Sequence, residues 1–226
     1  MAVDTPSTTP CPPLSRKRER GRGRGPWPLA ATVALAFVLW FITFALPFGS
    51  FWIKISFSAA LLAGISLFLQ PPRSEDFPLD SKTLLIGLAS AAVLYLVFWI
   101  GRFVSLQLFN FAGAQIGSIY HKGDGTPAWA IMLMLFCITG PSEELFWRGF
   151  LQRQLMERFG RWAGCAIATA IYAAVHISSM NFMLVGAAAV AGAFWGLMYA
   201  RLGKLTPLIL SHSVWSMVIF AVFPMR

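Results

Sequence analysis

About seven apolar stretches, each near the length that crosses a bilayer, fill the chain from Trp27 onward and leave no interval for a soluble domain. They lie near Trp27–Leu46, Phe51–Leu69, Thr83–Val104, Pro127–Phe150, Trp162–His176, Phe182–Ala200 and Leu205–Phe223. The expectation is an all-α, polytopic membrane helical bundle of about seven transmembrane helices. Composition agrees: 57% of residues are hydrophobic and 12% charged, against about 45–50% and 25% in a soluble domain.

The formal charge of +9 would suit nucleic acid in a soluble protein. Here about a third of the basic residues crowd into Arg16-Lys17-Arg18-Glu19-Arg20-Gly21-Arg22-Gly23-Arg24, directly before the first apolar stretch, which is a membrane-orientation signal. A nucleic-acid partner is not expected; the lipid bilayer is. Residues 1–26 read as a disordered basic cytoplasmic tail, 27–104 as N-terminal transmembrane helices, 105–126 as an interfacial helix and loop, and 127–226 as a transmembrane core. An anchor fits the first stretch better than a cleaved signal peptide, because a second span follows at once. With the tail inside, Arg73, Lys82, Arg153, Arg158, Arg161, Arg201 and Lys204 fall on the cytoplasmic side. Lys54, Arg102, Lys122 and Arg226 fall outside. The expected location is a cell inner membrane, with the C-terminus outside.

Chemistry enters at Pro141-Ser142-Glu143-Glu144-Leu145-Phe146-Trp147-Arg148-Gly149. A carboxylate at bilayer depth costs about 2.5–3.5 kcal/mol on insertion scales and persists where it faces a protein interior, a partner or a wet cavity. Glu144 and Arg148 are four residues apart, the spacing at which an acid N-terminal to a base pairs best. Glu143 points about 100° away around the helix, lacks a local partner and is the natural general base. The ordinary alternative is that both acids open a helix begun by Pro141 and capped by Ser142. Phe146, Trp147 and Phe150 read as packing residues.

His176 and His212 lie in otherwise apolar stretches, whereas His121 sits beside Lys122 in a loop and reads as solvated. Cys11, Cys137 and Cys165 show neither metal-ligand spacing nor a disulfide framework. Ser211, Ser213 and Ser216 flank His212, but no Gly-x-Ser-x-Gly elbow occurs. Glu143, His176 and His212 together allow two chemistries. Glu143 and His176 would polarise a water for attack on a peptide carbonyl while His212 stabilises the oxyanion. Alternatively the same three would bind Zn²⁺ and leave its fourth position for water. The HExxH spacing of zinc proteases is absent.

Glu143-Glu144-x-x-x-Arg148, Tyr172-x-x-x-His176 and His212-x-x-x-Ser216, in that order over roughly Pro127 to Phe223, resemble the motifs of the CAAX-processing and bacteriocin-processing (CPBP, Abi-type) intramembrane endopeptidases. Tyr172 stands where that family has Phe, and Ser216 where it has Asn or Asp. The resemblance implies a helical bundle enclosing a polar intramembrane cavity and hydrolysis of a membrane protein or lipid-anchored peptide. It implies Glu143 and His176 as the water-activating pair, His212 and the residue at 216 lining the oxyanion site, and Glu144, Arg148 and Tyr172 in support. No cofactor is required on this reading, Zn²⁺ being the alternative. A non-catalytic membrane scaffold or immunity protein and a proton-coupled transporter using Glu and His are the rival functions. From these spans Glu143 sits nearer the inner face and His176 nearer the outer end of a short helix, with Gly140-Pro141 as a kink that could level them.

Overall fold

A computed structural model of the protein describes residues 26–123 and 125–225. The basic tail and Cys11 therefore lie outside the described residues. Every regular element among them is helical: α1 Pro26–Ala45, α2 Phe51–Leu69, α3 Ser81–Leu108, α4 Ala112–Tyr120, α5 Ala128–Phe159, α6 Arg161–Val175 with a 3-10 turn His176–Ser179, α7 Phe182–Leu202 and α8 Thr206–Val222. Six are long and apolar enough to cross a membrane, and α8 is a shorter apolar helix. The expected count of about seven thus resolves into six full spans and one of marginal length. Phe103–Leu108 continues α3, so the helix of the 105–126 connector is confined to α4.

Helix ends follow from local chemistry. Asp80 caps α3, accepting from the Thr83 N–H at 3.0 Å and the Thr83 hydroxyl at 2.7 Å, and the hydroxyl bond first holds its carboxyl below the usual range. Gly160 (φ 86°) and Gly203 (φ 62°) end α5 and α7 in backbone conformations that a Cβ disfavours. Of α3, just the stripe Thr83, Gly87, Ala91 and Leu94 is buried, at helical spacing. It packs on α8, where a Cβ at Gly87 would lie 3.0 Å from the Leu210 side chain. The rest of α3 presents large apolar side chains outward, as a lipid-facing helix does.

The fourth span corrects the expected boundary. α5 runs on past Phe150 to Phe159 through a segment whose polar residues depress hydropathy but are satisfied by tertiary partners. Gln152 donates to the Gly196 carbonyl at 2.8 Å, and Arg153 pairs with Asp76 at 2.7 Å and bonds the Tyr199 hydroxyl at 2.8 Å. α5 is also continuous through Pro141, so neither Pro141 nor Ser142 opens a helix. Instead π-helical turns, Met134–Thr139 and Leu145–Gln152, flank Gly140–Glu144. A wider turn before Pro141 accommodates the ring and its missing N–H without breaking the helix.

One end of the bundle gathers the 70–80 connector, the α5–α6 junction and the α7–α8 turn. Here the Leu205 N–H donates to the Asp76 carbonyl at 2.7 Å and Lys204 to the Glu75 carbonyl at 2.6 Å. The opposite end gathers α4, the α6–α7 turn and the C-terminus, through Asn181 to the Gln115 carbonyl (2.8 Å) and the Met225 N–H to the Tyr120 hydroxyl (3.0 Å). Successive spans therefore alternate in direction.

Asp76 ties the N-terminal helices to α5 while also accepting from the Arg73 N–H at 2.8 Å. Asp76→Ala is expected to cost about 2 kcal/mol, seen as a fall of about 4–8 °C in Tm on thermal unfolding in detergent. Glu75→Ala, which removes an exposed pair with Arg73, should leave Tm unchanged.

Candidate active site

α5 carries Glu143, Glu144 and Arg148 at mid-length, where burial is nearly complete: they are 6%, 0% and 2% exposed. Counting α-helical rise from the shared α5–α6 turn, Glu143 lies about 24 Å along α5 and His176 about 22 Å along α6. The longer α5 removes the expected difference in depth between them. Close helix approach does the rest. A Cβ at Gly140 would meet Ser213 Oγ at 2.5 Å, and one at Gly192 would meet the Tyr172 ring at 2.9 Å, so α8 is drawn against the acid-bearing turn of α5, and α7 against Tyr172 of α6, by residues that lack one.

The two acids have different partners. Glu144 Oε1 accepts from Arg148 at 2.8 Å and from His212 Nδ1 at 2.6 Å. It thereby joins α5 to α8. The Arg148 guanidinium also donates to the Gly192 carbonyl at 3.3 Å and lies 4.9 Å from the Tyr172 ring and 5.5 Å from the Trp195 ring. His212 stacks on Trp195 with centroids 3.9 Å apart and planes within 15°. Trp195 is fixed in turn by donation to Ser211 Oγ at 3.1 Å. With Nδ1 on a carboxylate, the free edge of His212 is Nε2.

Glu143 accepts at Oε2 from the Tyr172 hydroxyl at 2.9 Å. Tyr172 thus gains a use for the hydroxyl that distinguishes it from Phe. His176, one turn further along α6, donates from Nδ1 to the Tyr172 carbonyl at 2.7 Å and accepts at Nε2 from the Trp40 indole N–H at 3.2 Å. An indole only donates, so this imidazole is the neutral tautomer with its proton on Nδ1. Tyr172 stands between Glu143 and His176, its ring 5.2 Å from the imidazole. Ser216 follows His212 by one turn and is buried.

As placed, Glu143, His176 and His212 do not fit Zn²⁺. Among the described residues no three His, Cys, Asp or Glu side chains are grouped as a metal ion needs, and both ring nitrogens of His176 are engaged. Glu144 Oε2, Ser213 Oγ and Trp147 Nε1 are buried without a hydrogen-bond partner, leaving acceptors and donors beside the acids. Phe146, Trp147 and Phe150 are buried packing residues, as expected, and Cys165 packs against Gly196. Trp40 and Trp195 carry no local sequence signal for a site. The one hint for Trp40 is its position within a span, away from the interface where Trp concentrates.

A family model described as type II CAAX prenyl endopeptidase Rce1-like matches residues 125–218. No curated protein and no solved structure matches the chain. The matched segment contains Glu143, Glu144, Arg148, Tyr172, His176, His212 and Ser216, and stops short of Trp40. Residues 125–218 of this helical membrane protein are thus similar to the Rce1-like CAAX endopeptidases, a family of proteases.

Proposed function

We propose that the protein is an intramembrane endopeptidase that hydrolyses a peptide bond of a membrane protein or lipid-anchored peptide, with Glu143 as general base, His176 as its partner and His212 as oxyanion donor. The observation that carries this reading is the division of labour between adjacent acids. Glu144 is committed to Arg148 and His212, while Glu143 has a single hydroxyl donor on Oε2 and keeps Oε1 as an acceptor. In this reading Oε1 takes a proton from water, and the hydroxide adds to the peptide carbonyl carbon. The oxyanion is met by Nε2–H of His212, whose Nδ1 is anchored on Glu144 much as a triad carboxylate orients its histidine. The proton held by Glu143 then passes to the departing amine as the C–N bond breaks. His176 contributes the lone pair of Nε2 to orient the water once the Trp40 N–H yields it. No step uses a metal. The end of the bundle that carries Arg73, Lys82, Arg153, Arg158, Arg161, Arg201 and Lys204 faces the cytoplasm, with the C-terminus on the other side.

Comparing membrane proteomes of cells carrying the wild type and Glu143→Gln is expected to reveal a protein whose C-terminal or membrane-proximal segment stays unprocessed in the variant. With that substrate and purified protein in nanodiscs, Glu143→Gln should lower turnover at least about 100-fold with Tm unchanged. Retained phenotype would mark a scaffold instead, and pH-dependent flux without a cleaved product a transporter. Chelator should leave cleavage intact; its loss would restore the metal alternative. Glu144→Gln, which keeps the shape but weakens the hold on His212, should lower turnover by about 10–100-fold.

A further inference from the structure

One cleft of the protein is remote from Glu143 and Glu144. About 400 Å³ in volume, it opens at the basic end of the bundle, where the close of α5, the start of α6 and the close of α7 converge. Arg153, Glu157, Arg161, Tyr199 and Arg201 supply its polar walls. Arg153 is already committed to Asp76 and the Tyr199 hydroxyl. Among the described residues, Arg161 and Arg201 are paired with no carboxylate, and both are exposed. Glu157 is the acid in the lining, and the C-terminal carbonyls of α7 also border it. One of these carbonyls, that of Tyr199, is taken by the Gly203 N–H.

Two further observations point to the charge of a ligand. α6 begins at Gly160 without a side-chain cap, so the N–H groups of Arg161, Trp162 and Ala163 are left with no side-chain acceptor at the positive end of the helix dipole. The Arg201 guanidinium lies 5.7 Å from the Trp162 ring, and that ring is exposed at the end of an apolar span. Two guanidiniums without a carboxylate partner, an uncapped helix start and an exposed indole thus lie at this end of the bundle. Phe159 and Ile167, on the helices that meet at this end, are also exposed.

We infer that this cleft binds a phosphate-bearing anion at the membrane surface, held by Arg161, Arg201 and the first N–H groups of α6. Lipid headgroups and dissolved phosphate both offer that chemistry, and basic pockets at the cytoplasmic ends of transmembrane helices are suited to anionic headgroups. The site stands independently of the hydrolytic reading.

The full chain, purified in neutral detergent, would be titrated with phosphatidylglycerol, phosphatidylcholine and inorganic phosphate, with bound ligand read by native mass spectrometry. Phosphatidylglycerol should bind at least about tenfold tighter than phosphatidylcholine, and Arg161→Ala/Arg201→Ala should weaken it roughly tenfold or more. Arg73→Ala/Lys82→Ala removes the same charge from the same end but outside the cleft, and should change affinity by less than about threefold. Displacement of the lipid by millimolar inorganic phosphate would assign the site to a dissolved anion, and failure to displace it to the headgroup. Equal losses in the two double variants would overturn the proposal, as would equal binding of the two lipids without binding of inorganic phosphate.

Discussion

Glu144 is the fixed point of the structure. A carboxylate with no exposed surface, in a chain that fills a bilayer, is tolerable where cationic or strongly donating groups surround it, and it has two on a single oxygen. Each comes from a different place: Arg148 from the next turn of its own helix and His212 from α8. Stripping one partner from a buried pair of this kind costs about 3–5 kcal/mol. The arrangement therefore fixes how α8 sits against α5. Glu143, one residue earlier, can then remain lightly bonded because its neighbour carries the structural obligation.

The same obligation shapes the aromatic residues around it. Tyr172 and Trp195 wall in the Arg148 guanidinium, and each has a second contact with the site: Tyr172 donates to Glu143, and Trp195 stacks on His212. Their positions depend on glycine. Gly192 lets the Tyr172 ring approach α7 and offers its carbonyl to Arg148, so a small residue serves both packing and charge. Polar groups in a low-dielectric interior are secure when every partner is held by something else, and here the holding groups are mostly rings and backbone carbonyls.

Much of this was legible in the sequence because lipid imposes long apolar runs and makes each interrupting charge conspicuous. The spans, the Glu144–Arg148 spacing and the three separated motifs needed no tertiary knowledge. The end of α5 was hidden. Gln152 and Arg153 lower hydropathy, and what keeps them helical is the Gly196 carbonyl, Asp76 and Tyr199, all distant in the chain. Misplacing that end created an apparent mismatch in depth between Glu143 and His176. The pairing of His212 with Glu144 was equally invisible, since helix spacing reports neighbours on one helix and not across two. Tyr172 in place of Phe looked like a mild departure until its hydroxyl was found on Glu143.

The Trp40–His176 hydrogen bond has a consequence for how the molecule is partitioned. α1 lies outside residues 125–218, yet its indole N–H occupies the acceptor nitrogen of a histidine inside that stretch. Excising the C-terminal half would bare this nitrogen to hydrocarbon, where an unmet acceptor is costly. The leading helix is thus a wall of the candidate site as well as a tether, and any sliding of α1 along the bundle would be felt at an imidazole 136 positions away.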